Sequence, residues 1–198
     1  AGSHGEGVTY YEARSKEFPA FVIEYRRTGQ GDGRSLALLI KTAKEEGLRI
    51  DTNRIYLTGF SAGGSGSFPL AKGMEQEGMY FAAINRVAGQ SQSDLGDDIA
   101  SRTALWYHIG LNDTSNNRVG VARACREKFI NYPCNSAARS STTNDVIDGF
   151  ERETLRLRRK GKDMFVYSEY SGMYHTPGPV YKDPEIFPWM FSQTLANW

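Results

Sequence analysis

The sequence predicts one α/β domain with a mostly parallel central sheet and helices on both faces. Short runs of β-branched and aromatic residues alternate along the chain with longer stretches of helical periodicity, and no repeat or low-complexity stretch interrupts them. The length of 198 residues fits a single domain. We therefore expect residues 1–198 to fold as one unit.

Five short and mostly apolar segments are the candidate strands. Strands that are covered on both faces have this character, because neither face needs polar side chains. The five segments are Phe21–Tyr25, Arg54–Thr58, Phe81–Ile84, Ala104–Ile109 and Met164–Tyr167.

Two helical patterns connect these segments. The first begins at Ser35, a suitable N-cap, and ends at Gly47, with apolar residues on one face at Leu36, Leu39, Ile40 and Ala43. A crossover helix there makes the flanking strands parallel. The second pattern runs from Asn144 to Gly161 through Val146, Ile147, Phe150 and Leu157. Cations near its end favour a solvated helix terminus over a phosphate site; they are Arg156, Arg158, Arg159, Lys160 and Lys162.

The region from Leu111 to Thr143 is the least regular part of the chain, with a short helical pattern near Val119–Phe129. We expect an irregular insertion at about residues 114–143, lying over one end of the sheet. Cys125 and Cys134 both lie inside it. A disulfide between them and two free thiols both remain open at this point.

Composition and charge exclude several classes of protein. Twenty-four Lys and Arg balance 23 Asp and Glu, so the net charge of +1 favours neither nucleic acid nor an anionic membrane. The apolar runs are too short to span a bilayer. The two cysteines lack neighbours at ligand spacing, so we expect no metal site. No charged stretch followed by an apolar one opens the given sequence, so we expect that any export signal has been removed or never existed.

The most informative motif is Gly59-Phe60-Ser61-Ala62-Gly63, which directly follows a predicted strand. This is the G-x-S-x-G pattern, in which a serine occupies a sharp turn between a strand and a helix. Gly59 and Gly63 are expected to provide the space that the turn needs. Ser61 is therefore the candidate nucleophile, and the Ala62 amide is a candidate oxyanion donor. Pro69 is expected to kink or end the following helix.

A serine nucleophile needs a base, and the chain has three histidines. His175 follows the last predicted strand, so it should reach the same sheet edge as Ser61. His108 lies within a strand pattern and is more typical of the core, and His4 lies near the N-terminus. His175 is therefore the candidate base.

The acid that orients the base should follow a strand between the serine and the histidine. Asp113 meets this condition, four residues beyond Ile109. The reserve candidates are Asp94, Asp97 and Asp98, and the weaker ones are Asp145 and Asp148.

These residues resemble the α/β-hydrolase family, and particularly its esterase branch of carbohydrate esterases, feruloyl esterases and polyhydroxyalkanoate depolymerases. The run from Asp51 to Gly64 carries the resemblance, with support from Val87-Ala88-Gly89 and the segment His108–Asp113. It implies a serine esterase with an acyl-enzyme intermediate, a small or polymeric ester substrate such as acylated carbohydrate or polyester, no cofactor, and a secreted or periplasmic location. Phe60 and Tyr174 would then contact substrate.

The resemblance also implies a second oxyanion amide near the N-terminus, at Gly5 or Glu6 in His4-Gly5-Glu6-Gly7. The family has a strand before this loop. A truncated chain, a sheet reduced at the N-terminus and a tag remnant therefore all remain open. Two other functions also remain: a serine peptidase of the prolyl-oligopeptidase type, and a binding protein that keeps the fold without turnover. The oligomeric state is not predicted.

Overall fold

The computed structural model describes residues 6–24, 32–91 and 94–195. Its strands are β1 (Tyr56–Phe60), β2 (Ala83–Val87), β3 (Ala104–Gly110), β4 (Arg139–Ile147), β5 (Phe150–Arg159) and β6 (Lys162–Tyr170). Its α-helices are α1 (Glu6–Glu12), α2 (Asp32–Glu45), α3 (Ala62–Glu75), α4 (Asp97–Arg102), α5 (Arg118–Asn131), α6 (Gly178–Lys182) and α7 (Ile186–Ser192).

The strands form one six-stranded mixed sheet in the order β1-β2-β3-β6-β5-β4. β1, β2, β3 and β6 are parallel, and β5 and β4 continue the sheet as antiparallel strands. Every residue of β2 and β3 is buried. The parallel part of the sheet is therefore the centre of the core, and the carboxyl ends of its four strands share one edge.

Helices cover both faces of this sheet. On one face, Phe68 of α3 lies under the guanidinium of Arg86 from β2, and Phe129 of α5 stacks on Phe165 of β6. On the other face, Trp189 of α7 packs edge-on against Trp106 of β3. The chain therefore has the α/β class and the two covered faces that the sequence predicts. None of the described helices is both long enough and apolar enough to cross a membrane.

Four of the five predicted strands are confirmed, as β1, β2, β3 and β6, with shifted ends. The first is wrong: residues 21–24 are exposed and form no strand, and Tyr25 lies outside the described residues. An apolar run becomes a strand where a neighbouring strand satisfies its backbone groups, and 21–24 pair with none in the described sheet. The expected crossover from this strand to β1 is therefore absent as well.

The predicted first helix is confirmed as α2, which begins three residues before Ser35. Leu36 and Ile40 are buried as expected, but Leu39 is 51% exposed and Ala37 takes its place in the core. Gly47 follows the helix with a φ of 98°, a conformation suited to a glycine that ends a helix.

The predicted second helix is wrong, because residues 144–161 belong to the β4–β5 hairpin and the turn into β6. Ile147 pairs with Phe150, so Asp148 and Gly149 form a two-residue loop with φ of 49° and 85°. Two positive φ values are typical of a type I′ turn, for which Asp-Gly is a preferred sequence. Lys160 and Gly161 form a second loop of this kind. The Asp-Gly signal therefore outweighs the approximate helical spacing.

The basic residues expected at a helix end lie instead on β5, in the turn after it and at the first residue of β6. Arg156 pairs with Asp163 and Glu185, and Arg158 also pairs with Asp163. Arg159 donates hydrogen bonds to backbone carbonyls at the end of α4. These three guanidinium groups have protein partners, which favours a structural role over phosphate binding.

The expected irregular insertion at 114–143 is more regular than predicted. It contains the 14-residue helix α5, which packs against β3 and buries Ala122, Cys125 and Phe129. Short 3-10 helices flank α5, and β4 begins at Arg139. Cys125 and Cys134 are both free thiols, and burial raises the pKa of each to about 12. The disulfide alternative is therefore not formed.

Candidate active site

Ser61 occupies the turn between β1 and α3 in a strained backbone conformation. Its φ of 54° and ψ of −110° are unfavourable for a residue with a side chain, so the surroundings must hold it there. The Ser61 N–H donates to the Val87 carbonyl at 2.9 Å, and the Ser61 carbonyl accepts from Ser65 at 2.8 Å. This geometry is the sharp strand-to-helix turn that the sequence predicts.

The space around this turn comes from Gly59 and Gly64, whereas the sequence predicted Gly59 and Gly63. A Cβ on Gly64 would lie 2.5 Å from the Val87 carbonyl oxygen, and a Cβ on Gly59 would lie 2.5 Å from the Gly63 carbonyl carbon. A Cβ on Gly63 would meet open space. Gly63 faces outward because it lies in the exposed first turn of α3, whereas Gly64 is pressed against the end of β2.

Pro69 lies inside α3 and does not end the helix, so of the two expected effects, a kink or an end, the end does not occur. Proline cannot donate to the carbonyl four residues earlier, which here belongs to Ser65. The Ser91 hydroxyl donates to that carbonyl at 3.0 Å, and the Ser65 hydroxyl accepts from the Gln90 N–H at 2.9 Å. Because Pro69 cannot donate to the Ser65 carbonyl, that carbonyl accepts from Ser91 instead. This hydrogen bond joins the loop after β2 to α3.

His175 lies in the loop between β6 and α6, beside the loop that follows β3. Two backbone hydrogen bonds join these loops: Leu111 donates to Tyr170 at 2.9 Å, and Asn112 donates to Met173 at 3.0 Å. Since β3 and β6 are adjacent parallel strands, their carboxyl ends bring the two loops together.

The three candidate residues form a continuous chain of hydrogen bonds. The His175 Nε2 lies 2.8 Å from the Ser61 Oγ, and the His175 Nδ1 lies 2.6 Å from the Asp113 Oδ2. Asp113 is 3% exposed, while Ser61 and His175 are half-buried. Such a chain can move the hydroxyl proton to the imidazole while the carboxylate holds the ring.

The alternative acids and the alternative base lie elsewhere. Burial holds the pKa of His108 well below its ordinary value, and its Nδ1 lies 3.0 Å from the Tyr170 hydroxyl, so it is a neutral core residue. The reserve acids lie in α4 and the segment before it; of the weaker ones, one pairs with a cation of β5 and the other with a cation of α6. Asp94 contacts Tyr132, Asp97 accepts from the Cys134 N–H, Asp98 is exposed, Asp145 pairs with Arg152, and Asp148 pairs with Lys182.

The candidate oxyanion donor Ala62 is the first residue of α3 and is exposed, as is Gly63. The first N–H groups of a helix have no partner within the helix, so they can donate hydrogen bonds to an anionic oxygen bound at this end. Gly5 lies outside the described residues; Glu6 begins α1, and its side chain also lies outside them. In the described ranges, no group of three or more His, Cys, Asp or Glu is arranged to hold a metal ion.

The two aromatic residues predicted to contact substrate both lie next to His175. The Phe60 ring packs against the imidazole with a centroid distance of 4.6 Å. Tyr174 is 68% exposed. Phe60 therefore supports the histidine directly, and Tyr174 offers an open aromatic surface beside it.

Sequence reasoning missed two groups that support the candidate site. Arg118 donates to the Asp113 Oδ1 at 2.8 Å from the start of α5. Arg152, buried on β5, pairs with buried Asp183 just after α6 and so anchors the segment that follows His175. Neither arginine belongs to a local motif, and only the packing of distant segments brings them to the site.

No protein-family model matches the sequence, and no curated protein matches it significantly. The interpretation of the site therefore rests on its residues and their geometry.

Proposed function

We propose that this protein is a serine hydrolase that cleaves carboxylic esters through an acyl-enzyme intermediate. The observation that carries the proposal is the hydrogen-bonded chain Ser61–His175–Asp113 at the shared carboxyl edge of β1, β3 and β6. The strained backbone at Ser61 and the open start of α3 support it, because both are features of an exposed nucleophile beside an anion-binding helix end.

Each residue has one role in the proposed reaction. Ser61 Oγ attacks the ester carbonyl carbon while His175 Nε2 accepts its proton, and Asp113 stabilises the resulting imidazolium. The Ala62 N–H donates to the oxygen that becomes negative. The imidazolium then gives the proton to the leaving alcohol. In the second half, His175 accepts a proton from water as the water oxygen attacks the acyl carbon. The bond from the acyl carbon to Ser61 Oγ then breaks, the imidazolium returns the proton to Oγ, and the acid is released.

The architecture and the exposure of the site shape the rest of the proposal. The parallel strands, the helices on both faces and the chain order serine, aspartate, histidine are compatible with the α/β-hydrolase fold, which we include in the proposal. Ala62, Gly63 and Tyr174 are all exposed. An open site of this kind suits ester groups carried on a bulky or polymeric substrate, such as acylated carbohydrate or polyester.

The deciding experiment labels the protein with a fluorophosphonate, which reacts with activated serine hydroxyls, and measures hydrolysis of p-nitrophenyl acetate. We expect labelling and turnover in the parent chain and neither in Ser61→Ala, because that change removes the attacking oxygen. Ser67→Ala is a matched control in the same helix, since the Ser67 hydroxyl donates to the Gly64 carbonyl and accepts from Arg86, and neither bond involves His175. Full activity in Ser61→Ala would exclude the proposal.

Two further measurements sharpen the assignment. The double variant Ser61→Ala, His175→Ala should lose no more than the worse single variant, because residues of one triad act as a unit. A peptide p-nitroanilide distinguishes an esterase from a peptidase: we expect slow or absent cleavage relative to the ester. Faster cleavage of the anilide would reassign the protein to the serine peptidases.

A further inference from the structure

The Asp113 carboxylate divides its two oxygens between two partners. Oδ2 contacts the His175 Nδ1 at 2.6 Å, and Oδ1 accepts from the Arg118 Nη1 at 2.8 Å. The Arg118 side chain is 10% exposed, so solvent screens this ion pair only weakly. The carboxylate therefore faces a permanent cation on one side and the imidazole on the other.

Arg118 occupies a position that is unfavourable for its charge. It is the first residue of α5, where the helix dipole repels a cation. Its Nε is buried without a hydrogen-bond partner in the described part of the chain. Besides the pair with Asp113, its side chain makes one other hydrogen bond within the described residues, a long one of 3.3 Å from Nη1 to the Ser115 carbonyl. The ion pair with Asp113 is thus the interaction that offsets the cost of this placement.

The backbone before α5 directs Arg118 back toward Asp113. Asn116 and Asn117 both have left-handed φ values, of 53° and 54°, which asparagine tolerates better than most residues. They reverse the chain between Asp113 and the helix. The side chain that follows this reversal reaches the carboxylate five residues earlier.

We propose that Arg118 is a positioning residue that sets the pH range of the proposed esterase by holding Asp113 and partly neutralising it. This inference rests on the proposed function. The guanidinium fixes Oδ1, so that Oδ2 faces His175. It also weakens the attraction between the carboxylate and the imidazolium. Removal of the guanidinium should therefore strengthen that attraction and move the acidic limb of the activity profile to higher pH.

Besides Arg118, the side chains described around Asp113 and His175 are uncharged in the assay range. Tyr107 of β3 interacts electrostatically with Asp113, but burial raises the pKa of its phenol to about 12, so it stays neutral in the assay range. The Phe60 ring and the Ser61 hydroxyl face His175 without carrying charge.

The test measures kcat/KM for p-nitrophenyl acetate against pH in variants of Arg118. Arg118→Gln and Arg118→Met both remove the charge, and we expect the midpoint of the acidic limb to rise by about one pH unit in each. Arg118→Lys keeps the charge and should move the midpoint of the acidic limb by less than half as much. Arg123→Met is the control, because Arg123 lies on the same helix with its side chain 51% exposed and pairs with Glu169 rather than with Asp113. It should leave the midpoint unchanged.

A second measurement does not depend on turnover. NMR of the imidazole resonances, assigned with His175→Gln, follows the protonation of His175 directly, and we expect the same upward shift in both neutral variants. Midpoints within about 0.3 pH unit of the parent in both experiments would overturn the role of Arg118. Activity that survives Ser61→Ala would instead overturn the proposed function, while the NMR shift would still report on Arg118.

Discussion

Replacement of Asp113 by asparagine gives a sharp test of the site, because Arg118 determines which way the new amide turns. Arg118 is a donor and needs an acceptor, so the amide oxygen should face it. The amide NH2 group then faces the His175 Nδ1, which must become an acceptor. The proton moves to Nε2, where it blocks transfer from Ser61. Asp113→Asn should therefore select the inactive tautomer.

The size of the loss follows from two contributions. In the productive orientation, the amide oxygen would face His175 and the buried guanidinium of Arg118 would lose its acceptor. That loss costs about 2 kcal/mol and opposes this orientation. The lost attraction between carboxylate and imidazolium, over about 5 Å at an effective dielectric constant of about 20, is about 3 kcal/mol. Together they correspond to a decrease in kcat of between about 10³ and 10⁴, the scale known for this change in serine proteases.

The assay compares kcat for p-nitrophenyl acetate in Asp113→Asn, the double variant Asp113→Asn, Arg118→Met, and Asp98→Asn. Without Arg118 the amide can turn its oxygen toward His175, so the double variant should recover about tenfold or more over Asp113→Asn. Asp98 is exposed on α4, and its asparagine variant should stay near the parent. A value for Asp113→Asn within about tenfold of the parent, or no recovery in the double variant, would refute this reasoning.

Substitutions at three glycines test the local structure. Gly64→Ala should lower the free energy of unfolding by about 2 kcal/mol and reduce kcat, because its Cβ would lie 2.5 Å from the Val87 carbonyl oxygen. Gly63→Ala is the control, because its Cβ would meet open space, and it should change the free energy of unfolding little. Urea unfolding measures both. Gly149→Ala should destabilise by about 1 kcal/mol and Gly149→Asn by less, since φ is 85° at this turn. Stabilisation by Gly149→Ala would favour the helix that the sequence pattern suggested.

The parts that sequence analysis predicted are those with a local physical signature. Parallel strands that helices cover appear as short apolar runs, and this identified β1, β2, β3 and β6. The glycine-flanked turn predicted Ser61. The rule that the carboxyl ends of parallel strands share an edge favoured His175. Together with the chain order serine, acid, histidine, it favoured Asp113, while Asp94, Asp97 and Asp98 stayed in reserve.

The parts that it missed depend on contacts between distant segments. Residues 144–161 carry apolar side chains at spacings that fit a helix loosely, and the Asp-Gly turn at 148–149 was the signal for a hairpin. Phe21–Ile23 looks like a strand, but pairing decides strand formation. Arg118 reaches Asp113 because of two left-handed asparagines, a conformation that the sequence permits without requiring it.

The misread hairpin contributes directly to the rigidity of the candidate site. Three strands are joined by side chains on one face of the sheet: Trp106 of β3 donates to the Ser168 hydroxyl of β6 at 3.0 Å, and that hydroxyl lies 2.9 Å from the Thr154 hydroxyl of β5. All three side chains are buried, so each polar group needs its partner. β5 therefore stabilises the two strands that lead to Asp113 and His175.

The same hairpin also fixes the chain beyond His175. Arg152 of β5 is buried and bridges Asp145 of β4 and Asp183, and the Asp183 carboxylate also accepts from the Glu185 N–H. On the other side, the Tyr181 hydroxyl lies 2.8 Å from the Thr58 Oγ1 of β1. The loop that carries the histidine is thus held at β6 before it and at α6 after it. Since a displacement of about 1 Å can cost a hundredfold in rate, these distant contacts matter to the proposed chemistry as much as the immediate neighbours of the imidazole.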